Sequence, residues 1–112
     1  MKIIFSTRFL KDSKKLKKKF PTIDQDLLDL VNEIEKGKKI GDKLTNIDGL
    51  PIYKDRIQNS AVKKGKSGGF RVIYYLEINN IAYFITIYSK SDQQNIKSKE
   101  IISILKDEDF LG

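Results

Sequence analysis

The chain has 112 residues, enough for one domain with a single modest core. It contains neither cysteine nor histidine, which excludes disulfides, thiolate metal sites and the imidazole that most often serves as general acid, general base or metal ligand. Its 22 Lys and Arg against 15 Asp and Glu leave a formal charge of +7, a balance that suits a polyanion, either nucleic acid or a membrane surface.

The N-terminal Met1–Phe5 is too short an apolar run for a signal peptide. No apolar run approaches the ~20 residues of a membrane span, so a cytoplasmic protein is expected. Lys2–Phe5 reads as a first strand. Ser6 or Thr7 then caps a helix, since a hydroxyl oxygen accepts a free N–H of the first turn. Phe9, Leu10, Leu16 and Phe20 recur at helical spacing along it. The lysines between them (Lys11, Lys14, Lys15, Lys17, Lys18, Lys19) read as a solvated face and at most a secondary electrostatic aid. Pro21 stops this helix.

Thr22-Ile23-Asp24-Gln25 fits a capping box that opens a second helix. Ile23, Leu27, Leu30, Val31 and Ile34 form its apolar stripe, and Gly37 ends it. The two helices read as a hairpin covering one face of a sheet. Residues 38–49 read as a polar connection. Leu50–Ile57 reads as the second strand, with Ile52, Lys54, Arg56 and Gln58 on one face and Tyr53, Asp55 and Ile57 on the other.

Residues 59–69 form a basic, glycine-rich loop carrying Lys63, Lys64 and Lys66. Gly65-Lys66-Ser67 matches the tail of a phosphate-binding P-loop. That motif needs a glycine where Ser60 stands and a helix where a strand follows, so it is rejected. Phe70–Ile78 is the third strand. Phe70, Val72, Tyr74 and Leu76 form its core face, and Arg71, Ile73 and Tyr75 the opposite face. Arg71 is expected at an exposed strand mouth beside a Gly68-Gly69 hinge. Asn79-Asn80 signals a tight turn. Ile81–Lys90 is the fourth strand, on which alternation groups Ala82, Phe84, Thr86, Tyr88 and Lys90. Ser98–Lys106 closes as a short helix with Ile101, Ile102 and Leu105 apolar, followed by a tail.

The order β-α-α-β-β-β-α predicts one α+β domain over residues 1–112. A twisted antiparallel sheet carries the helices on one face, and the other face is open. Lys54, Arg56, Arg71, Tyr88 and Lys90 are all candidates to project from that open face. No repeat, linker or second domain is visible.

Three segments carry a family resemblance: Tyr53-Lys54-Asp55-Arg56, the run Gly65–Tyr75, and Ile87–Gln93. They resemble the toxins of the RelE/ParE superfamily, most closely HigB-type members, over nearly the whole chain. The resemblance implies a RelE-like fold and a type II toxin–antitoxin component. It implies a ribosome-dependent endoribonuclease that cuts mRNA, held inactive by a cognate antitoxin of HigA-like helix-turn-helix or acidic type. It places Lys54 and Arg56, Arg71 and Lys90 at the family's basic active-site positions. The chain departs from the pattern near its C-terminus, where several relatives carry a tyrosine that acts on the attacking hydroxyl. Here the residues are Asn95 and Ile96, and the last aromatic is Phe110.

Attack of an RNA 2′-hydroxyl on the adjacent phosphorus needs a base, cations for the phosphorane and an acid for the leaving oxygen. Arginine stays protonated, so Arg56 and Arg71 are read as transition-state clamps. A lysine crowded by cations has a lowered pKa, so Lys54 is read as the base, with Lys90 or Tyr88 as charge-stabilising or acid group. Lys63, Lys64 and Lys66 are read as RNA contacts. No cofactor or metal is expected. A ParE-like poison of DNA gyrase on the same scaffold, and a non-catalytic basic RNA-binding module, are the competing readings.

Overall fold

The computed structural model describes residues 1–38, 41–45, 47–60, 68–77 and 79–110. Its elements are β1 (Lys2–Phe5), α1 (Thr7–Lys19), α2 (Ile23–Glu35), β2 (Asp42–Lys43), β3 (Ile52–Ile57), β4 (Phe70–Glu77), β5 (Ile81–Ser89) and α3 (Ser98–Asp107). They build an α+β fold around one five-stranded sheet of order β1-β5-β4-β3-β2.

Local signals account for most element ends. Ser6 caps α1: its Oγ accepts the Phe9 N–H at 2.8 Å. The same hydroxyl donates to the Ile85 carbonyl at 2.6 Å, which ties the helix start to β5. Glu108 adds a second cap, accepting from the Thr7 N–H at 2.6 Å and the Arg8 N–H at 3.3 Å. A carboxylate there also faces the positive end of the helix dipole. At the end of α2, Gly37 has φ +77°. Its N–H donates to Ile34 and that of Lys38 to Glu33, the paired bonds of a Schellman cap. The capping box expected at Thr22 does not form, because its side chain makes no cap hydrogen bond. The Thr22 hydroxyl instead accepts from Ser60 Oγ at 2.9 Å.

The helical hairpin covers one sheet face as expected. Phe9, Phe20, Ile23, Leu27, Leu30 and Ile34 pack on Tyr53, Ile57, Phe70, Val72, Tyr74, Ala82, Phe84 and Ile87. Leu10, placed by periodicity in the α1 stripe, is instead exposed.

Three features depart from the expected sheet. First, β1 pairs in parallel with β5, from Lys2↔Ile81 to Phe5↔Phe84. The two strands are joined through most of the chain, so no tight turn forces them antiparallel. Second, the polar connection contains β2, which pairs with β3. Two residues are too few to show a period in the sequence. Third, the face opposite the hairpin is not fully open. Ile101, Ile104 and Leu105 of α3 close over Ile52, Ile73 and Ile85, making a second small core. These spacings put all three helix residues on one side of α3. That face is therefore divided into an apolar part under α3 and a cationic part where Arg56 and Arg71 stand.

Candidate active site

Strand register assembles the site. Arg56 pairs with Arg71, and Arg71 pairs with Tyr88, so the three form a row across β3, β4 and β5. Lys54 shares the face of Arg56 and is opposite Ile73 on β4 and Asp42 on β2. Lys90 follows the end of β5. Its N–H donates to the Gly69 carbonyl at 2.9 Å, and its ammonium donates to the Gln94 carbonyl at 3.2 Å.

Tyr88 reaches this row through a β-bulge. Ile73 pairs with Thr86 but Tyr74 pairs with Phe84, so β5 carries one additional residue there. Strict alternation groups Tyr88 with Phe84, which belongs to the hairpin-side core. The bulge changes the phase. Thr86 stays on the hairpin side, where its hydroxyl donates to Asp12 of α1, and the next residue, Ile87, joins the same core instead of alternating away. Tyr88 is thereby placed on the opposite side, in the α3-side core beside Arg71. Re-aiming a side chain is what a bulge does to a strand.

Arg71 is not at an exposed mouth. It is 4% exposed, enclosed at the centre of the row rather than at its rim. The physical reason is its position on β4, the middle strand, flanked by neighbours on both sides. Gly69 lies against the β3 backbone. A Cβ at this position would stand 2.0 Å from the Ile57 carbonyl oxygen, so glycine here is a requirement of close backbone approach.

The charges act on one another. The Lys54 ammonium is held below the ordinary lysine range, first by burial and then by Arg56, Arg71 and Lys90, with Asp42 opposing. Burial, and then Arg56, lowers the Arg71 guanidinium, which remains a cation. Burial pushes the Tyr88 phenol up, against the pull of Arg71 and Arg56. Tyr88 is 5% exposed, and its hydroxyl has no hydrogen-bond partner among the described residues. Arg56 is exposed and ion-paired with Asp42 at 3.3 Å.

All five predicted residues, Lys54, Arg56, Arg71, Tyr88 and Lys90, thus belong to one electrostatic cluster. Lys63, Lys64 and Lys66 lie outside the described residues. Asp42 is a member that the sequence reading missed, because only its pairing with Lys54 reveals it. On α1, Lys17 and Lys19 pair with Asp24 and Asp92, as expected of a solvated face.

A groove between α2 and β3 is lined by Asp26, Asp29, Glu33 and Asp55 together with Arg56, a net negative charge that disfavours a phosphate ligand. Among the described residues no group of three or more carboxylates is placed to hold a metal ion. Likewise, no helix is long and apolar enough to cross a membrane. The cationic row can clamp a phosphate, neutralise a pentavalent phosphorane and, through Lys54, accept a proton.

The family model described as the RelE toxin of the RelE/RelB toxin–antitoxin system matches residues 1–107. No curated protein matches the chain.

Proposed function

This chain belongs to the RelE toxin family of toxin–antitoxin systems, and from that premise we propose that it is a ribosome-dependent endoribonuclease that cleaves mRNA and stops translation. The observation that carries the reading is the convergence of Lys54, Arg56, Arg71, Lys90 and Tyr88 on the part of the sheet face beyond α3.

Lys54 acts as the base, because burial and three neighbouring cations favour its neutral amine. It takes the proton of an RNA 2′-hydroxyl, whose oxygen attacks the adjacent phosphorus. The bond from phosphorus to the 5′-oxygen breaks and the Lys90 ammonium gives its proton to the leaving oxygen, leaving a 2′,3′-cyclic phosphate and a 5′-hydroxyl. Arg56 and Arg71 meet the charge that builds on the phosphorane. Preorganised donors of this kind are often the largest catalytic contribution. Lys90 adds positive charge beside the leaving group. No step uses a metal, and the ribosome supplies much of the substrate positioning. Lys63, Lys64 and Lys66 are proposed to contact RNA along the loop.

The family implies a cognate antitoxin. A HigA-like helix-turn-helix protein or an acidic segment is proposed, the acidic segment because it offers negative charge to the cationic row.

The test is toeprinting on ribosomes translating a defined mRNA, with the parent and with Lys54→Met. Cleavage within the decoding site by the parent and its loss in the variant are expected. An intact message with the parent, alongside inhibition of DNA gyrase, would replace this reading with the ParE-like one.

A further inference from the structure

The two helices of the hairpin carry opposite charge. α1 holds seven Lys and Arg against Asp12 alone, whereas α2 holds five Asp and Glu and no Lys or Arg. Both pack on the same face of the sheet. They meet across the hairpin through Lys17 and Asp24, at 2.6 Å. That pair marks the flanks that the helices turn toward each other.

Leu10 precedes Lys17 by two turns and Leu28 follows Asp24 by one, so both leucines lie on those same flanks. Neither is covered: Leu10 is 55% exposed and Leu28 45%. The seam of the hairpin thus shows one bare leucine from each helix. Lys11, Lys14 and Lys18 are exposed on α1, and Asp29, Glu33 and Glu35 on α2. The ion pairs among the described residues use none of these six.

A basic helix beside an acidic one makes a self-complementary surface. A two-fold axis along the seam sets α1 of one copy on α2 of the other, and the reverse, as a closed dimer requires. It also gathers the leucines of both copies at the axis, with charge around them. An axis across the seam would instead set α1 on α1, where like charges repel.

We infer that the outer face of the α1–α2 hairpin is an interface between two copies of this chain, with Leu10 and Leu28 at its centre. The cationic row is on the opposite face of the sheet and stays open in the dimer. A helix of 13 residues is about 20 Å long and about 10 Å wide, so the two offer roughly 400 Å². That is half of the ~800 Å² per partner of a standard interface. The contact is therefore weak and electrostatic, with a Kd on the order of 10 μM at low salt.

The test is the mass of the nuclease-treated full chain by sedimentation, against concentration. It should rise from 12.9 kDa toward twice that value. Raising NaCl from about 0.05 M to about 0.5 M should weaken the dimer roughly tenfold. Leu10→Ser should weaken it by about tenfold as well. The triple change Lys11→Glu, Lys14→Glu and Lys18→Glu should leave a monomer, and so should Asp29→Lys, Glu33→Lys and Glu35→Lys. Mixed in equal amounts, the two triple variants should pair with each other, because each reversed helix then faces its opposite. In the parent alone, the amide signals of Leu10 and Leu28 should shift with concentration while those of Ile52, Ile73 and Ile85 stay.

A parent that is monomeric at low salt and high concentration overturns the inference. So do concentration shifts that spare both leucines, or a dimer present only before nuclease treatment, in which RNA bridges the lysines. Reversed variants that melt with the parent but fail to pair with each other exclude it too. A monomer whose leucines are covered only once its antitoxin binds would assign the seam to that partner instead.

Discussion

Gly69→Ala tests the close approach that brings the row together. The added Cβ would lie 2.0 Å from the Ile57 carbonyl oxygen and 2.9 Å from the Asn59 nitrogen. Ordinary contact begins at 3.4 Å, so the strands must part by about 1.4 Å, and both offending atoms are backbone. That movement strains the Ile57↔Phe70 pair, adjacent to Arg56↔Arg71, and the bond from Lys90 N–H to the Gly69 carbonyl. Overpacking costs about 1–3 kcal/mol, and backbone against backbone belongs at the upper end. About 3 kcal/mol corresponds to a fall of roughly 12 °C in Tm for a domain of this size. Gly37→Ala is the control, because φ is +77° there but nothing lies within 4 Å. It should cost only left-handed strain, about 1 kcal/mol or roughly 4 °C, and leave cleavage at the parent's level. Thermal melts and ribosome-dependent cleavage of both variants decide the matter. If Gly69→Ala melts with Gly37→Ala and cleaves like the parent, the close approach has no role in the site.

Three further outcomes are expected. The lowered pKa of Lys54 means its charge destabilises the fold fully below that pKa, and the penalty is relieved as pH rises through it toward the ordinary 10.5. Lys54→Met should therefore melt above the parent at neutral pH, by a margin that narrows as pH rises; a margin that widens would refute the sign. Asp42 opposes that lowering, so Asp42→Asn should move the rising limb of the cleavage–pH profile to lower pH. Its effect on Tm should be small because the Asp42–Arg56 pair is exposed and such pairs contribute about 0–1 kcal/mol. An unmoved profile would remove Lys54 as the base. Glu108→Ala removes the second cap of α1 and should cost about 1 kcal/mol. Hydrogen exchange at the Thr7 and Arg8 amides should accelerate, and unchanged protection would show the cap to be idle.

Periodicity determined what each segment does with respect to itself. The stripe Ile23, Leu27, Leu30 and Ile34 requires an amphipathic helix, and all four residues are buried. Alternation on β4 separates Arg71 from Phe70 and Val72 without reference to any other strand. Ser6 and Gly37 end their helices through bonds spanning three to five residues. The proximity of Lys54 to Arg56 is equally local. The rest depends on partners remote in the chain. β1 runs parallel because nothing short connects it to β5. Arg71 is buried because β4 is the middle strand. Asp42 joins the cluster because β2 places it opposite Lys54. The bulge before Tyr88 is decided by how β5 matches β4, and one additional residue reverses every side chain beyond it. A one-dimensional pattern records the faces of a strand but not its register, and register is what brings Tyr88 beside Arg71.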